Sequence, residues 1–203
     1  MTETWAWISG WAIQPERFQS VLEKALPGTQ QIVLHPGPDA VDQILSTNAQ
    51  RIGGYSLGSL LLLNAFEQIP ENIPLVCMAP ILGFCLEDQL GGTTSKESLD
   101  KLHSRLHAKP SSAIRLFYRL AKMHDEPTEA LPYCAEDLDW GLTMLSETTV
   151  DKHLDLSRVE AWIGREDPLI QSNVIAPYFE RRHITPSLHS YRDLAEHVAS
   201  AAS

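Results

Sequence analysis

A chain of 203 residues, 43% of them hydrophobic, is long enough to fold as one domain with a substantial core. Its formal net charge of −10 repels nucleic acid as a whole, so an acidic partner has to meet a local basic patch. No apolar stretch approaches the ~18 residues of a spanning helix, the N-terminus lacks the basic region of a secretory signal, and the three cysteines, Cys77, Cys85 and Cys134, form no C-x-x-C pair. A membrane span, secretion, a disulfide framework and a zinc site are all disfavoured, and the expectation is a cytoplasmic protein with reduced thiols and no metal or cofactor.

Along the chain, Thr4 to Ser9 is a β-type run followed by Gly10-Trp11. Pro15 opens an amphipathic helix to Leu26, with Phe18, Val21, Leu22 and Ala25 on one face and Pro27-Gly28 as its stop. Gln31 to Leu34 is the next strand, and Asp39 is placed to cap a helix through Ala49. Ala49 to Tyr55 is a third strand, and a helix to Ile69 follows. Pro74 to Ala79 is continuously apolar, as a strand buried on both faces should be. From Phe84 to about Val150 the pattern predicts helices only, around Leu99-Leu102-Leu106, Ile114-Phe117-Tyr118-Ala121 and Asp137 to Leu145. Strand character returns at Val159 to Ile163, a helix follows over Ser172 to Arg181, and a weaker strand is expected around Leu188 to Leu194.

Strands alternating with helices predict an α/β fold, a mostly parallel sheet with helices on both faces, in a single domain spanning 1–203. Residues 84–150 form a helical insertion within it, placed to act as a lid above the strand ends, where reacting groups gather in this class.

Between the third strand and its helix lies Gly54-Tyr55-Ser56-Leu57-Gly58, a G-x-S-x-G pattern in the strand-turn-helix context that exposes a serine hydroxyl at the tip of a sheet. The plain alternative is a glycine-rich turn that contains a serine. A nucleophile needs a base, an acid that orients the base and donors for the oxyanion, and on α/β-hydrolase scaffolds the chain order is serine, acid, histidine. Gly164-Arg165-Glu166-Asp167-Pro168 ends the strand after the insertion and puts two carboxylates there; Asp167 is preferred to Glu166 because an Asp-Pro step suits a side chain projected from a turn. Chain order disfavours His35, His103, His107, His124 and His153. His197, just after the last strand-like stretch, is the preferred base, and His189 is the runner-up. The oxyanion donors are the amides of Leu57, at a helix N-terminus, and Trp11, in the loop after the first strand.

These segments resemble the α/β-hydrolases that demethylate pimeloyl-acyl carrier protein methyl ester in biotin synthesis. Ile8-Ser9-Gly10-Trp11-Ala12 is similar to that family's H-G-W-G loop, Gly54 to Ser59 to its G-W-S-L-G-G elbow, and Asp139-Trp140-Gly141-Leu142 with Leu145 to its N-G-L-x-x-L segment. Gly164 to Asp167 is similar to its G-x-x-D acid turn, and Ala195 to Val198 to its A-x-H-x base turn. Ser9 stands where the family has histidine, two leading strands are missing, and the chain stops where the family adds a terminal helix after the base, so the fold is expected to be shortened at both ends. The resemblance implies a serine carboxylesterase acting on a carrier-bound acyl ester.

Between Lys96 and Lys122 the chain carries seven basic residues against Glu97 and Asp100. Arg105, Lys109, Arg115, Arg119 and Lys122 are the expected contacts for acyl carrier protein, an acidic partner; a solvated helix face is the plain alternative. Phe84, Leu86, Phe117, Leu120 and Met144 are candidates to line an acyl channel, with Phe117 the substrate contact. The competing functions are a general small-molecule carboxylesterase or thioesterase, and a hydrolase-fold binding protein without turnover.

Overall fold

Strands that must be covered on both faces dictate the architecture. The computed structural model describes residues 2–128 and 130–202; Met1, Glu129 and Ser203, which the expected 1–203 domain includes, lie outside the described residues. In chain order come β1 (Thr4–Ile8), α1 (Pro15–Ala25), β2 (Gln30–Leu34), α2 (Ala40–Leu45), β3 (Arg51–Tyr55), α3 (Leu57–Asn64) and β4 (Leu75–Met78). Next are β5 (Gly83–Cys85), β6 (Gly91–Thr94), α4 (Lys96–Ala108), α5 (Pro110–Leu120) and α6 (Ala135–Glu147). The chain closes with β7 (Val159–Gly164), α7 (Ser172–Ile175), β8 (Arg181–Thr185) and α8 (Tyr191–Ala202).

Six strands form one parallel sheet in the order β2-β1-β3-β4-β7-β8. The inner strands are almost wholly buried, which is why they read as unbroken apolar runs. Helices cover both faces: α1 and α8 pack together, α8 against β4 and β7, while α2 and α3 lie on β1 and β3. All seven residues from Leu57 to Leu63 of α3 are buried, so this helix is covered all round and has no exposed polar stripe to set its period.

Several boundaries differ from the sequence expectation, each for a local reason. α2 stops at Leu45 because the Ser46 and Thr47 hydroxyls donate back to the Gln43 and Ile44 carbonyls, and Asp39 sits at its N-cap without a side-chain bond. α3 ends at Asn64, and a 3-10 turn over Phe66–Gln68 finishes the descent. The β4–β7 connection is not purely helical: β5 and β6 pair as a small parallel sheet before α4 begins. Pro110 opens α5 at its first turn, where a missing N–H costs nothing.

The largest difference is at the end of the chain. The final strand is Arg181–Thr185, not a segment around Leu188 to Leu194, and the helix expected over Ser172 to Arg181 is one turn of α7 plus a 3-10 turn at Ala176–Tyr178. β8 is an edge strand whose first four residues are exposed, so no apolar alternation marks it. The terminal helix expected to be missing is present as α8, directly after the loop that follows β8.

The elbow between β3 and α3 depends on backbone approach. A Cβ on Gly58 would sit 2.0 Å from the Ile8 carbonyl oxygen, and one on Gly54 would sit 2.6 Å from the Gly58 carbonyl carbon. These contacts are with main chain, which has no rotamer to relieve them. Gly58→Ala is therefore expected to lower the free energy of unfolding by about 3 kcal/mol or more. A urea midpoint unchanged from wild type would remove this account of the elbow.

Candidate active site

Tyr55 ends β3 and Leu57 begins α3, which leaves Ser56 alone to turn the chain from strand to helix. It does so at φ 54, ψ −116, a conformation that a non-glycine residue holds only when its surroundings enforce it. The result is a serine hydroxyl held at the C-terminal rim of the sheet, next to the first peptide units of α3. Ser59 secures the turn from below by donating its hydroxyl to the Gly54 and Met78 carbonyls, at 2.7 and 3.1 Å.

Three side chains from separate strand ends meet here. His189 Nε2 lies 2.9 Å from Ser56 Oγ, and His189 Nδ1 lies 2.6 Å from Asp167 Oδ2. All three are buried, Ser56 at 3% and His189 at 1% exposure. Asp167 uses its second oxygen to accept the Leu169 amide at 2.8 Å, so the carboxylate shapes its own turn and presents Oδ2 to the ring. Glu166 is exposed, which agrees with the choice of Asp167.

The ring at the serine is that of His189, and the preference for His197 is corrected. His197 lies within α8, half-buried, and β8 ends at Thr185, nine residues before the end of the expected strand at Leu194. The loop from Pro186 to Ser190 carries His189 over β7: a Cβ on Gly164 would sit 2.5 Å from the Ser187 carbonyl oxygen. From the other side the Tyr55 hydroxyl donates to the His189 carbonyl at 3.1 Å. Tyr55 is itself packed between Phe18 and Tyr191, and burial pushes its phenol well above its ordinary pKa, so it remains a donor.

The loop after β1 runs beside the serine, close enough that a Cβ on Gly10 would sit 3.2 Å from Ser56 Cβ. Leu57 is the first residue of α3, where an amide has no partner inside its own helix. Among the described residues the Trp11 amide has no protein acceptor either. Leu57 is thus next to Ser56 in the chain, and Trp11 follows the Gly10 that abuts it. Ser9, in the place of the expected histidine, holds the loop by donating to the Ile13 carbonyl at 3.4 Å.

Helices α5 and α6 grip this same loop. The Trp11 indole donates to the Leu138 carbonyl at 2.8 Å and meets the Phe117 ring edge-on at 4.8 Å. Ala12, at φ 59, donates its amide to the Tyr133 hydroxyl at 2.8 Å and accepts the Tyr118 hydroxyl at 3.0 Å. Tyr118 reads in the sequence as part of an apolar helix face, and Tyr133, in the stretch before α6, belongs to no pattern. Of the expected channel residues, Phe84 and Phe117 are buried, whereas Leu86 and Leu120 face outward at 51% and 47% exposure.

The five basic residues singled out from sequence, Arg105, Lys109, Arg115, Arg119 and Lys122, are all exposed, and among the described residues none forms an ion pair. Lys109, Arg115 and Arg119 border a cleft of ≈ 390 Å³ that also includes Tyr118 and Asp125. Asp125 in turn holds the α5–α6 loop to the start of α8, accepting bonds from the Tyr191 hydroxyl and, at 3.0 and 2.9 Å, from Arg192 Nε.

Neither a scan against protein-family models nor a search of curated proteins finds a match to this sequence. Among solved structures the chain is similar to an esterase from Exiguobacterium antarcticum, with TM-score 0.75 and 16% identity over 98% of this chain and 90% of that one. It is similar to a lipase-esterase related protein from Clostridium acetobutylicum, with TM-score 0.67 and 16% identity over 99% and 93% of the two chains. A thermophilic esterase from Thermogutta terrifontis gives TM-score 0.64 and 10% identity over 98% and 88%. The chain has the α/β-hydrolase fold, and these structural neighbours are esterases of that type; likeness at such identities establishes the fold alone. Among the described residues, no helix is long and apolar enough to cross a membrane.

Burial works to raise the Asp125 carboxyl, but the bonds from Arg192 and Tyr191 outweigh it and hold the group below its ordinary value. A carboxyl lowered on folding contributes stability above its unfolded pKa of ~3.9, and that contribution disappears as pH falls through the folded value. Asp125→Asn should therefore flatten the fall in melting temperature between about pH 5 and pH 2.5, by roughly 2 °C. Melting curves of the two proteins that stay parallel over this range would show that the Asp125 contact contributes nothing.

Proposed function

We propose that this protein is a serine carboxylesterase. Ser56 Oγ attacks the ester carbonyl while His189 Nε2 takes its proton; Asp167 holds the ring through Nδ1 and stabilises the imidazolium. The Leu57 and Trp11 amides receive the charge that develops on the carbonyl oxygen, where loss of one donor costs ~2.7 to 4 kcal/mol. Collapse expels the alcohol, protonated by His189, and water attacks the acyl-enzyme by the same route with His189 as base. The observation that carries this reading is the buried hydrogen-bond chain from Asp167 through His189 to Ser56.

The β4–β7 connection serves as the lid. With Ser56 and His189 buried, substrate enters only when α5 and α6 move away from the loop after β1, and Phe117, against Trp11, then borders the acyl group. The substrate is the methyl ester of a carrier-bound dicarboxylate, in its sharpest form pimeloyl-acyl carrier protein methyl ester. Support comes from the basic residues without ion pairs on and beside α4 and α5, and from the segments that resemble that family, except Ala195 to Val198, which lies in α8 and does not supply the base. A cytoplasmic location accords with three free cysteines.

A second reading, a general small-molecule carboxylesterase or thioesterase with an incidental basic face, is favoured by one observation. The basic cleft is bordered by neither Ser56 nor His189, so a path from a carrier docked there to the serine has to be opened.

Ser56→Ala and His189→Ala should each lower kcat on a short p-nitrophenyl ester by at least about 10⁴-fold, while His197→Ala should leave it within about threefold. Full activity in His189→Ala, or failure of a fluorophosphonate to label Ser56 in wild type, would end the reading and favour a binding protein. For the substrate, Arg115→Glu with Arg119→Glu should cut kcat/KM for an acyl-carrier ester by about tenfold or more and leave a free short ester unaffected. Equal retention of both substrates would favour the small-molecule esterase.

A further inference from the structure

His103 and His107 lie four residues apart on α4, so they project from one face of the helix. Their rings stack at 5.1 Å with 16° between planes, which turns both Nε2 atoms the same way. Both converge on a single oxygen from a different helix: Asp139 Oδ1 on α6 is 2.6 Å from His103 Nε2 and 2.9 Å from His107 Nε2. Two imidazole nitrogens and one carboxylate oxygen, all within 4.8 Å of one another, are the only such group of possible metal ligands among the described residues.

From this geometry we infer that His103, His107 and Asp139 bind one divalent transition-metal ion of the zinc type, which joins α4 to α6. The donor set decides the class of ion. Imidazole suits zinc, cobalt, nickel and copper, whereas magnesium and calcium take oxygen ligands. Zinc bonds of ~2.0–2.2 Å spread the three atoms by roughly half an ångström from their present hydrogen-bonded separations, which side-chain torsions alone supply. The His107 side chain is 67% exposed, so the ion has a route in from solvent and water can fill its remaining position. Arg105 lies on the same helix, but its guanidinium reaches away toward the Ser112 hydroxyl on α5.

The site has a mechanical consequence. Leu138, the residue before Asp139, supplies the carbonyl that accepts the Trp11 indole. An ion at Asp139 therefore ties α4 to the part of α6 that holds the loop after β1, and its binding stabilises the folded, closed arrangement. Linkage requires that a ligand of the folded state alone raise the melting temperature. The proposal needs no ester hydrolysis and survives if the serine proves inactive.

The test uses the full chain without a histidine tag, stripped with chelator. Titration with zinc chloride by calorimetry should give one site, with a rise in melting temperature that magnesium chloride does not reproduce. Cobalt chloride should give visible absorption bands of a four-coordinate centre with nitrogen and oxygen ligands. His107→Gln, at an exposed position that should not disturb folding, and Asp139→Asn should each weaken zinc binding by at least about tenfold, with unchanged far-ultraviolet circular dichroism. Absence of zinc uptake by wild type overturns the proposal. So does uptake that His107→Gln leaves unchanged, since the ion then sits elsewhere.

Discussion

The crossing of α3 over β1 is the constraint on which the rest of this molecule depends. With Gly58 against the Ile8 carbonyl, the helix starts immediately above the sheet, and the single residue left to join them has to take a left-handed, strained conformation. That one requirement puts the Ser56 hydroxyl at the rim, aligns the first amides of α3 beside it and brings the loop after β1 alongside. A serine on a relaxed turn would have none of these neighbours. The strain is held by what surrounds it: the buried α3, the hydroxyl of its Ser59 bonded beneath the turn, and the adjacent strands β1 and β4.

A second layer of order comes from the helices above. The loop after β1 is held by α5, α6 and the stretch between them through Tyr118, Tyr133 and the Leu138 carbonyl. The loop carrying His189 is flanked by Tyr191 and Arg192, which bind Asp125 from the same stretch. Asp125 and Tyr133 thus touch the segments on both sides of Ser56. His35, beyond β2, adds a further tie by bonding Asp137 at 2.8 Å and stacking on Tyr133. The two loops that flank the serine are thus held both by backbone at the strand ends and by side chains of the β4–β7 connection.

What was legible in the sequence follows from how each element is buried. Strands β1, β3, β4 and β7 are covered on both faces and announce themselves as apolar runs; Ser56 and Asp167 sit at the ends of two of them, where the sequence pattern places them. β8 pairs on one side only and reads Arg-Arg-His-Ile-Thr, with most of it facing solvent. Hydropathy does not mark it, and the next apolar segment, which reads as the last strand, runs into the start of α8. Both the choice of His197 and the expected absence of a terminal helix came from that displacement. A local signal was available: Pro186 directly follows Thr185, and proline neither donates to a ladder nor continues one. A strand closed by that proline leaves His189, not His197, in the loop behind it. The pairing of Asp139 with His103 and His107 had no sequence signal, because it depends on how two helices cross.

With the β4–β7 connection as the lid proposed above, the ties between the helices and the loop after β1 bound how often the site would open. A movement that carries α5 and α6 away from Trp11 and Ala12 breaks three hydrogen bonds, each with a net worth of about 0.5 to 1.5 kcal/mol. Their sum, roughly 1.5 to 4.5 kcal/mol, corresponds to an open population between about a tenth and a two-thousandth of the molecules. Exposing Phe117 and the Trp11 indole to water pushes it lower. A ligand shifts such an equilibrium only by the difference in its affinity for the two states. An acyl chain that replaces the lost apolar contacts favours the open form, and an anionic surface held at Arg115 and Arg119 adds to it if those side chains move with α5. A cation bridging α4 and α6 acts differently: it makes the two helices a single body, so whatever opens the site has to move both together.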